Sequence, residues 1–183
     1  MDINWDYQLK DDQRKNPVVY AEMLELNDDI LFPNEQQLKD VFGVKIFGKT
    51  KRLKTWGRKK DNASKTILKN DPHWIAVRNG TPLHYDVIYP RYSHHLKVRV
   101  DFGTFVRGLD KKELELKRGV FYILDTHSPH QVLIKHKMDS WNVAVSIDSD
   151  TILPAQETIK RCLAYARQNN FITGEAHENI FQR

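Results

Sequence analysis

A His-x-Asp pair is the first feature of this sequence that can do chemistry. In Thr81-Pro82-Leu83-His84-Tyr85-Asp86-Val87, an extended backbone puts residues two apart on one face, so His84 and Asp86 project together while Tyr85 projects the other way. Farther along, Arg118 to Val132 reads as a turn, a buried strand, a polar corner and a histidine that opens the next strand. That corner offers His127 or His130 as a third ligand. Two imidazoles and one carboxylate on one side of a divalent ion leave open positions, an arrangement suited to Fe(II) and dioxygen chemistry. His94 and His95 are adjacent, so on a strand at most one of them faces the same pocket.

Such ligands need a scaffold that brings distant strands together. Between residues 72 and 148, short apolar, β-branched or aromatic runs follow one another: His73 to Val77, Tyr85 to Tyr89, Leu96 to Phe102, Leu114 to Leu116, Val120 to Leu124, Gln131 to Ile134 and Trp141 to Ile147. Turn signals at Asn79-Gly80-Thr81-Pro82, Arg107-Gly108, Arg118-Gly119, Ser128-Pro129 and Met138-Asp139-Ser140 separate them. Runs this short describe an antiparallel sandwich or barrel rather than βαβ units, and a jelly roll is the economical solution. The expected class is mainly β (α+β), a single domain over 1–183 with a core at 72–148 and flanking helices. In the mixed lead-in, 1–71, Asn34 caps a short helix ended by Gly43, and Val44 to Phe47 form a strand. The last region, 149–183, is helical: Ile159, Cys162, Leu163 and Ala166 make one apolar stripe.

Composition bounds the class. With 40% apolar and 29% charged residues the chain is ordinary for a globular protein, and no apolar run approaches the roughly 20 residues of a membrane helix. Met1 to Asp6 lacks the order of a secretory leader, and a single cysteine forms no internal disulfide, so a cytoplasmic protein is expected. Oligomeric state is not legible. The charge is local: the loop 49–70 holds Lys49, Lys51, Arg52, Lys54, Arg58, Lys59, Lys60, Lys65 and Lys69 against Asp61 alone, while the whole chain is only +5. This is a solvated loop or a surface for an anionic partner such as nucleic acid, with Trp56 available for stacking. Trp74, Tyr89, Tyr92 and Trp141 are core residues by the usual accounting for aromatics in a sheet, with a pocket lining as the other reading.

From Pro82 to Asp148 the chain resembles the Fe(II)/2-oxoglutarate-dependent oxygenases of the aspartyl/asparaginyl β-hydroxylase and cis-proline hydroxylase type. The matching pieces are His84-Tyr85-Asp86, His95-Leu96, Lys117-Arg118-Gly119, Ile123-Leu124-Asp125, His130 and Val145-Ser146-Ile147-Asp148. The resemblance implies a double-stranded β-helix (cupin-like), His84, Asp86 and His130 as metal ligands and catalytic centre, and His130 rather than His127 as the distal one. It further implies Fe(II), 2-oxoglutarate as cosubstrate with dioxygen, and hydroxylation of an amino acid or of a peptide or protein side chain. Two arginines of the family pattern are absent: Ser93 stands where Arg-x-His-Leu begins, and Asp139-Ser140-Trp141-Asn142 where the arginine that pairs bidentately with the cosubstrate is expected. Substitutes for that cation come from two stretches. Arg91 shares the face of Ser93 and His95, Lys97 and Arg99 continue the alternation, and Lys135 or Lys137 lies just beyond His130. His95, Arg91, Arg99 and Lys135 form the expected cosubstrate set. Two other readings stand beside this one: an oxygenase acting on nucleic acid or a nucleic-acid-associated substrate through the 49–70 segment, and a non-catalytic cupin-like metal-binding module.

Overall fold

The computed structural model describes residues 8–26, 36, 56–58, 70–78, 80–87, 90–135 and 141–169. Nine strands and one helix lie among them: β1 (Val18–Met23), β2 (Trp56–Arg58), β3 (Pro72–Arg78), β4 (Tyr92–Val100), β5 (Thr104–Arg107), β6 (Glu113–Leu116), β7 (Val120–Asp125), β8 (Gln131–Ile134), β9 (Trp141–Ser149) and α1 (Ala155–Gln168). They build a six-stranded sheet in the order β1-β7-β4-β9-β3-β2 and a three-stranded sheet in the order β6-β5-β8. Every recorded pairing is antiparallel. The molecule is β-rich, as the short punctuated runs imply.

Alternation along the strands divides the interior in two. On one face of the large sheet Trp74, Leu96, Val98, Phe121, Ile123, Trp141, Val143, Val145 and Ile147 meet Ile159, Cys162, Leu163 and Ala166 of α1. Each large apolar side chain buried there contributes about 1.5–3 kcal/mol. The helix forms because its apolar stripe finds that face, while its polar side stays outward. The face toward the small sheet carries Val120, Tyr122 and Leu124 against Val106 and Leu116, with Val18, Val100 and Leu114 at the margin. Strands β4, β7 and β9 are covered on both sides and therefore read as nearly unbroken buried runs.

Three differences from the sequence reading have physical causes. The described part of the run Tyr85 to Tyr89, residues 85–87, has no ladder, and beside it only His84 pairs, through an isolated antiparallel bridge to His130. β4 begins at Tyr92, earlier than the apolar run starting at Leu96, because its inward face is polar and pattern alone hides it. β5 escapes sequence reading since Thr104-Phe105-Val106-Arg107 is too short to show a period. The lead-in also supplies both edges of the large sheet: β1 pairs with β7 and β2 with β3. Of the expected helix after Asn34 only Gln36 is described, and it is helical; the strand at Val44 to Phe47 lies outside the described residues, as does most of the basic loop beyond the backbone of β2. Among the described residues no helix is long and apolar enough to cross a membrane.

Candidate metal centre

The first ligand segment is placed by backbone contacts rather than by a ladder of its own. Gly80 has φ +78°, and a Cβ there would come 2.5 Å from the Val132 carbonyl oxygen. Without a side chain at this point the chain approaches β8 closely: Thr81 N–H donates to Val132 O (2.9 Å) and Val132 N–H donates to Thr81 Oγ1 (2.9 Å). Two reciprocal bonds follow, His84 N–H to His130 O (3.0 Å) and His130 N–H to His84 O (2.8 Å). Asp86 N–H then donates to Thr126 O (2.7 Å), which fixes the carboxylate next to the corner after β7.

His84, Asp86 and His130 converge, with one ligand atom from each lying within 4.8 Å of the others. The Asp86 Oδ2 atom is 3.9 Å from His84 Nε2 and 3.8 Å from His130 Nε2. The two imidazole centroids are 4.4 Å apart at 53°. Both rings are held the same way: His84 Nδ1 lies 2.7 Å from Pro82 O and His130 Nδ1 lies 2.8 Å from Ser128 O. A carbonyl can only accept, so each Nδ1 carries a proton, and the neutral form of each ring has its Nε2 lone pair directed toward Asp86. Burial, reinforced by the neighbouring His84, pushes the His130 imidazole down to about 3, keeping it neutral and competent as a ligand well into acid. The donor set fits a divalent ion that accepts nitrogen and oxygen ligands. Metal binding is therefore within reach of these three residues.

Compared with family models, curated proteins and solved structures, the chain matches none.

The other expected site residues separate. His127 is not in the cluster: its backbone N–H donates to Asp125 Oδ1 (3.2 Å) and its carbonyl accepts from Gln13 (2.8 Å). Arg91 donates through Nη2 to Asp125 Oδ2 (3.0 Å) and to Asp12 O (2.6 Å), so it clamps the 8–17 segment to the corner after β7. Arg99 is turned out of the alternation by a bulge between Lys97 and Arg99; it stands opposite Val143 and lies 3.7 Å from Asp101. Lys135 pairs with Glu113 at 2.5 Å and sits over the Phe105 ring, with 44% of its side chain exposed. Of the expected cosubstrate set, only His95 faces the space between the sheets. Its ring stacks on Tyr122 (4.8 Å between centroids, 29°), and its Nδ1 is 2.6 Å from Ser146 Oγ. His94, on the opposite face, is a satisfied structural histidine bridging Ile147 O and Leu153 N–H. Trp74 and Trp141 belong to the core under α1, with Tyr92 packed against it.

At the places of the two family arginines, Ser93 donates to Asp148 Oδ1 (2.6 Å), whereas Asn142 is 1% exposed and has no hydrogen-bond partner for either amide atom among the described residues. Lys97, passed by the bulge and left on the His95 face, is 3% exposed. A lysine between Leu96 and Val98 on a strand buried on both sides was the available sequence signal for it. Asn142 and Tyr122 had none.

Proposed function

We propose that the chain is an Fe(II)/2-oxoglutarate-dependent dioxygenase with a double-stranded β-helix fold, hydroxylating an amino acid or a peptide or protein side chain. The observation that carries this reading is the convergence of two imidazole Nε2 atoms and one carboxylate at the His84–His130 bridge beside β8. The fold assignment is supported by the weave: β3 lies in the large sheet, the His84 segment joins the small one through its bridge, β4 returns, β5 and β6 cross over, and β7, β8 and β9 alternate again. The resemblance of Pro82 to Asp148 to the aspartyl/asparaginyl β-hydroxylase type supports the choice of metal, cosubstrate and reaction.

An Fe(II) ion held there would supply the oxidation: one oxygen atom of dioxygen enters a substrate C–H bond and the other enters 2-oxoglutarate, which leaves as succinate and carbon dioxide. The chain's own contribution is arrangement. Pro82 O and Ser128 O fix the tautomers of His84 and His130, and Asp86 brings one negative charge against the ion. Burial of His130 keeps water from its side of the centre.

Anaerobic titration of the protein with Fe(II) and then 2-oxoglutarate tests the reading through the visible charge-transfer band of the chelate. The band is expected in the wild type and absent in His84→Ala, Asp86→Ala and His130→Ala, each of which should keep its β-sheet circular dichroism. Metal binding without a band in the wild type would sink the cosubstrate assignment, and iron held at full affinity by His130→Ala would sink the ligand set.

A further inference from the structure

Asp125 puts a charge where a turn alone has no use for one. It opens the corner that leads from β7 to His130: Ser128 N–H donates back to Asp125 O (3.1 Å), and His127 N–H donates to Asp125 Oδ1 (3.2 Å). Asparagine or serine closes such a turn equally well. The side chain is nevertheless a carboxylate with 0% of its surface exposed, and a charge so buried is costly unless it is matched. Its second oxygen, Oδ2, accepts from Arg91 Nη2 (3.0 Å) and lies 3.5 Å from Arg14 Nε.

The corner that this carboxylate holds carries the candidate ligands. Thr126 O accepts from Asp86 N–H (2.7 Å), and Ser128 O accepts from His130 Nδ1–H (2.8 Å). His84 hangs on the same frame through its two backbone bonds with His130. The segment before β1 lies along the corner as a strap: Asp125 N–H donates to Pro17 O (2.8 Å), Arg14 N–H to Ser128 Oγ (2.7 Å) and Gln13 Nε2 to His127 O (2.8 Å). Arg14 belongs to that strap and Arg91 directly precedes β4, so strap, strand and corner meet at Asp125 Oδ2. A shift of the corner displaces the Thr126 and Ser128 carbonyls together, and with them the Asp86 carboxylate and the His130 imidazole.

We propose that Asp125 is a positioning residue of the candidate metal centre: Oδ1 sets the corner, and Oδ2 locks it through Arg91 and Arg14, so that Thr126 O and Ser128 O keep Asp86 and His130 in ligating geometry. The proposal rests on the ligand set given above and is independent of the cosubstrate. Asp125 is not among the converging ligands and acts only through them. Its two oxygens have separable effects. Asparagine keeps the acceptor for His127 N–H and loses the charge that the arginines match, whereas alanine loses both.

Calorimetric titration with Mn(II), and the visible d–d spectrum of the Co(II)-loaded protein, test this without turnover. Asp125→Ala is expected to bind Mn(II) about tenfold or more weakly, as for loss of groups that orient a ligand, and to shift the Co(II) bands. Asp125→Asn should recover part of that affinity, and Arg91→Met should fall below the wild type as Asp125→Asn does. The double variant Asp125→Asn/Arg91→Met is expected within about twofold of the weaker single variant, because the two changes break one shared interaction. Ile159→Ala, weakened in the core under α1, controls for stability and should keep the wild-type affinity and spectrum. Equal Mn(II) affinity in the wild type and Asp125→Ala overturns the proposal, as does a loss in Ile159→Ala as large as in Asp125→Ala. Should Asp125→Ala fail to fold, wild-type affinity in both Asp125→Asn and Arg91→Met overturns it. No Mn(II) binding by the wild type overturns the ligand set and this proposal with it. Mn(II) binding that depends on Asp125, in a protein that gives no Fe(II)/2-oxoglutarate band, leaves Asp125 in its role and removes the oxygenase reading.

Discussion

An ammonium between two sheets changes how stability depends on pH, and the sign is fixed. Burial lowers the Lys97 ammonium from 10.5 to about 7. Between those values the unfolded chain holds a proton the folded chain has released, so stability rises with pH across the window. Below it the full penalty of burying the charge applies, an effect of up to a few kcal/mol. Lys97→Met is therefore expected to melt at a higher temperature than the wild type at pH 6, with the difference shrinking toward pH 10. Equal melting temperatures at pH 6 would mean that the ammonium is not held in a water-poor interior. His130 shifts in the same direction for the same reason, but there the neutral form is the useful one, since a metal needs its lone pair. At this scale His84 and Asp86 were legible from residue type and spacing, while His130 was separated from His127 only by the family resemblance. Lys97 and Arg99 were not separable, because a bulge changes which side of a strand a residue faces without marking the sequence.

Short elements place the site, and these are the ones pattern reading handles worst. The His84 segment is no strand; it is an arm held on β8 by Thr81 and by its bridge to His130. Gly80 permits that approach, at φ +78° and against Val132 O. An alanine there takes on about 1–2 kcal/mol of backbone strain and a collision with the carbonyl. Gly80→Ala should keep the far-ultraviolet spectrum of the sheets yet bind Mn(II) roughly tenfold or more weakly, as for loss of the groups that orient a ligand. Unchanged affinity would show that the arm is held without this contact. The longer elements fared better: the stripe Ile159, Cys162, Leu163, Ala166 became one face of α1 because a period of 3.6 survives in sequence whenever one face is buried. β1 and β5 left no such trace, β1 because four of its six residues are exposed.

For the molecule as a whole, two tasks fall in different places. α1 packs on one face of the large sheet, and His84, Asp86 and His130 stand outside that packed core, so stability and metal binding should respond to different substitutions. A metal that binds only the folded chain adds about 2.7 kcal/mol at a hundredfold excess over its Kd. Thermal melts with and without Mn(II) are expected to show that increment in the wild type and in Ile159→Ala, which itself loses about 2–5 kcal/mol of core packing. His130→Ala should lose the increment and keep the packing. An increment missing from Ile159→Ala would mean that the core and the metal centre are coupled. The sequence by itself determined that the chain is β-rich, that a helix follows the strands, and that His84, Asp86 and one histidine of the corner after β7 are candidates for a ligand set, because burial periodicity and ligand chemistry are properties of residue type. Only the tertiary structure decided the rest. Register across β4, β7 and β9 brings Lys97, Asn142, His95 and Tyr122 to one face, and ion pairs far apart in sequence take Arg91 and Lys135 elsewhere.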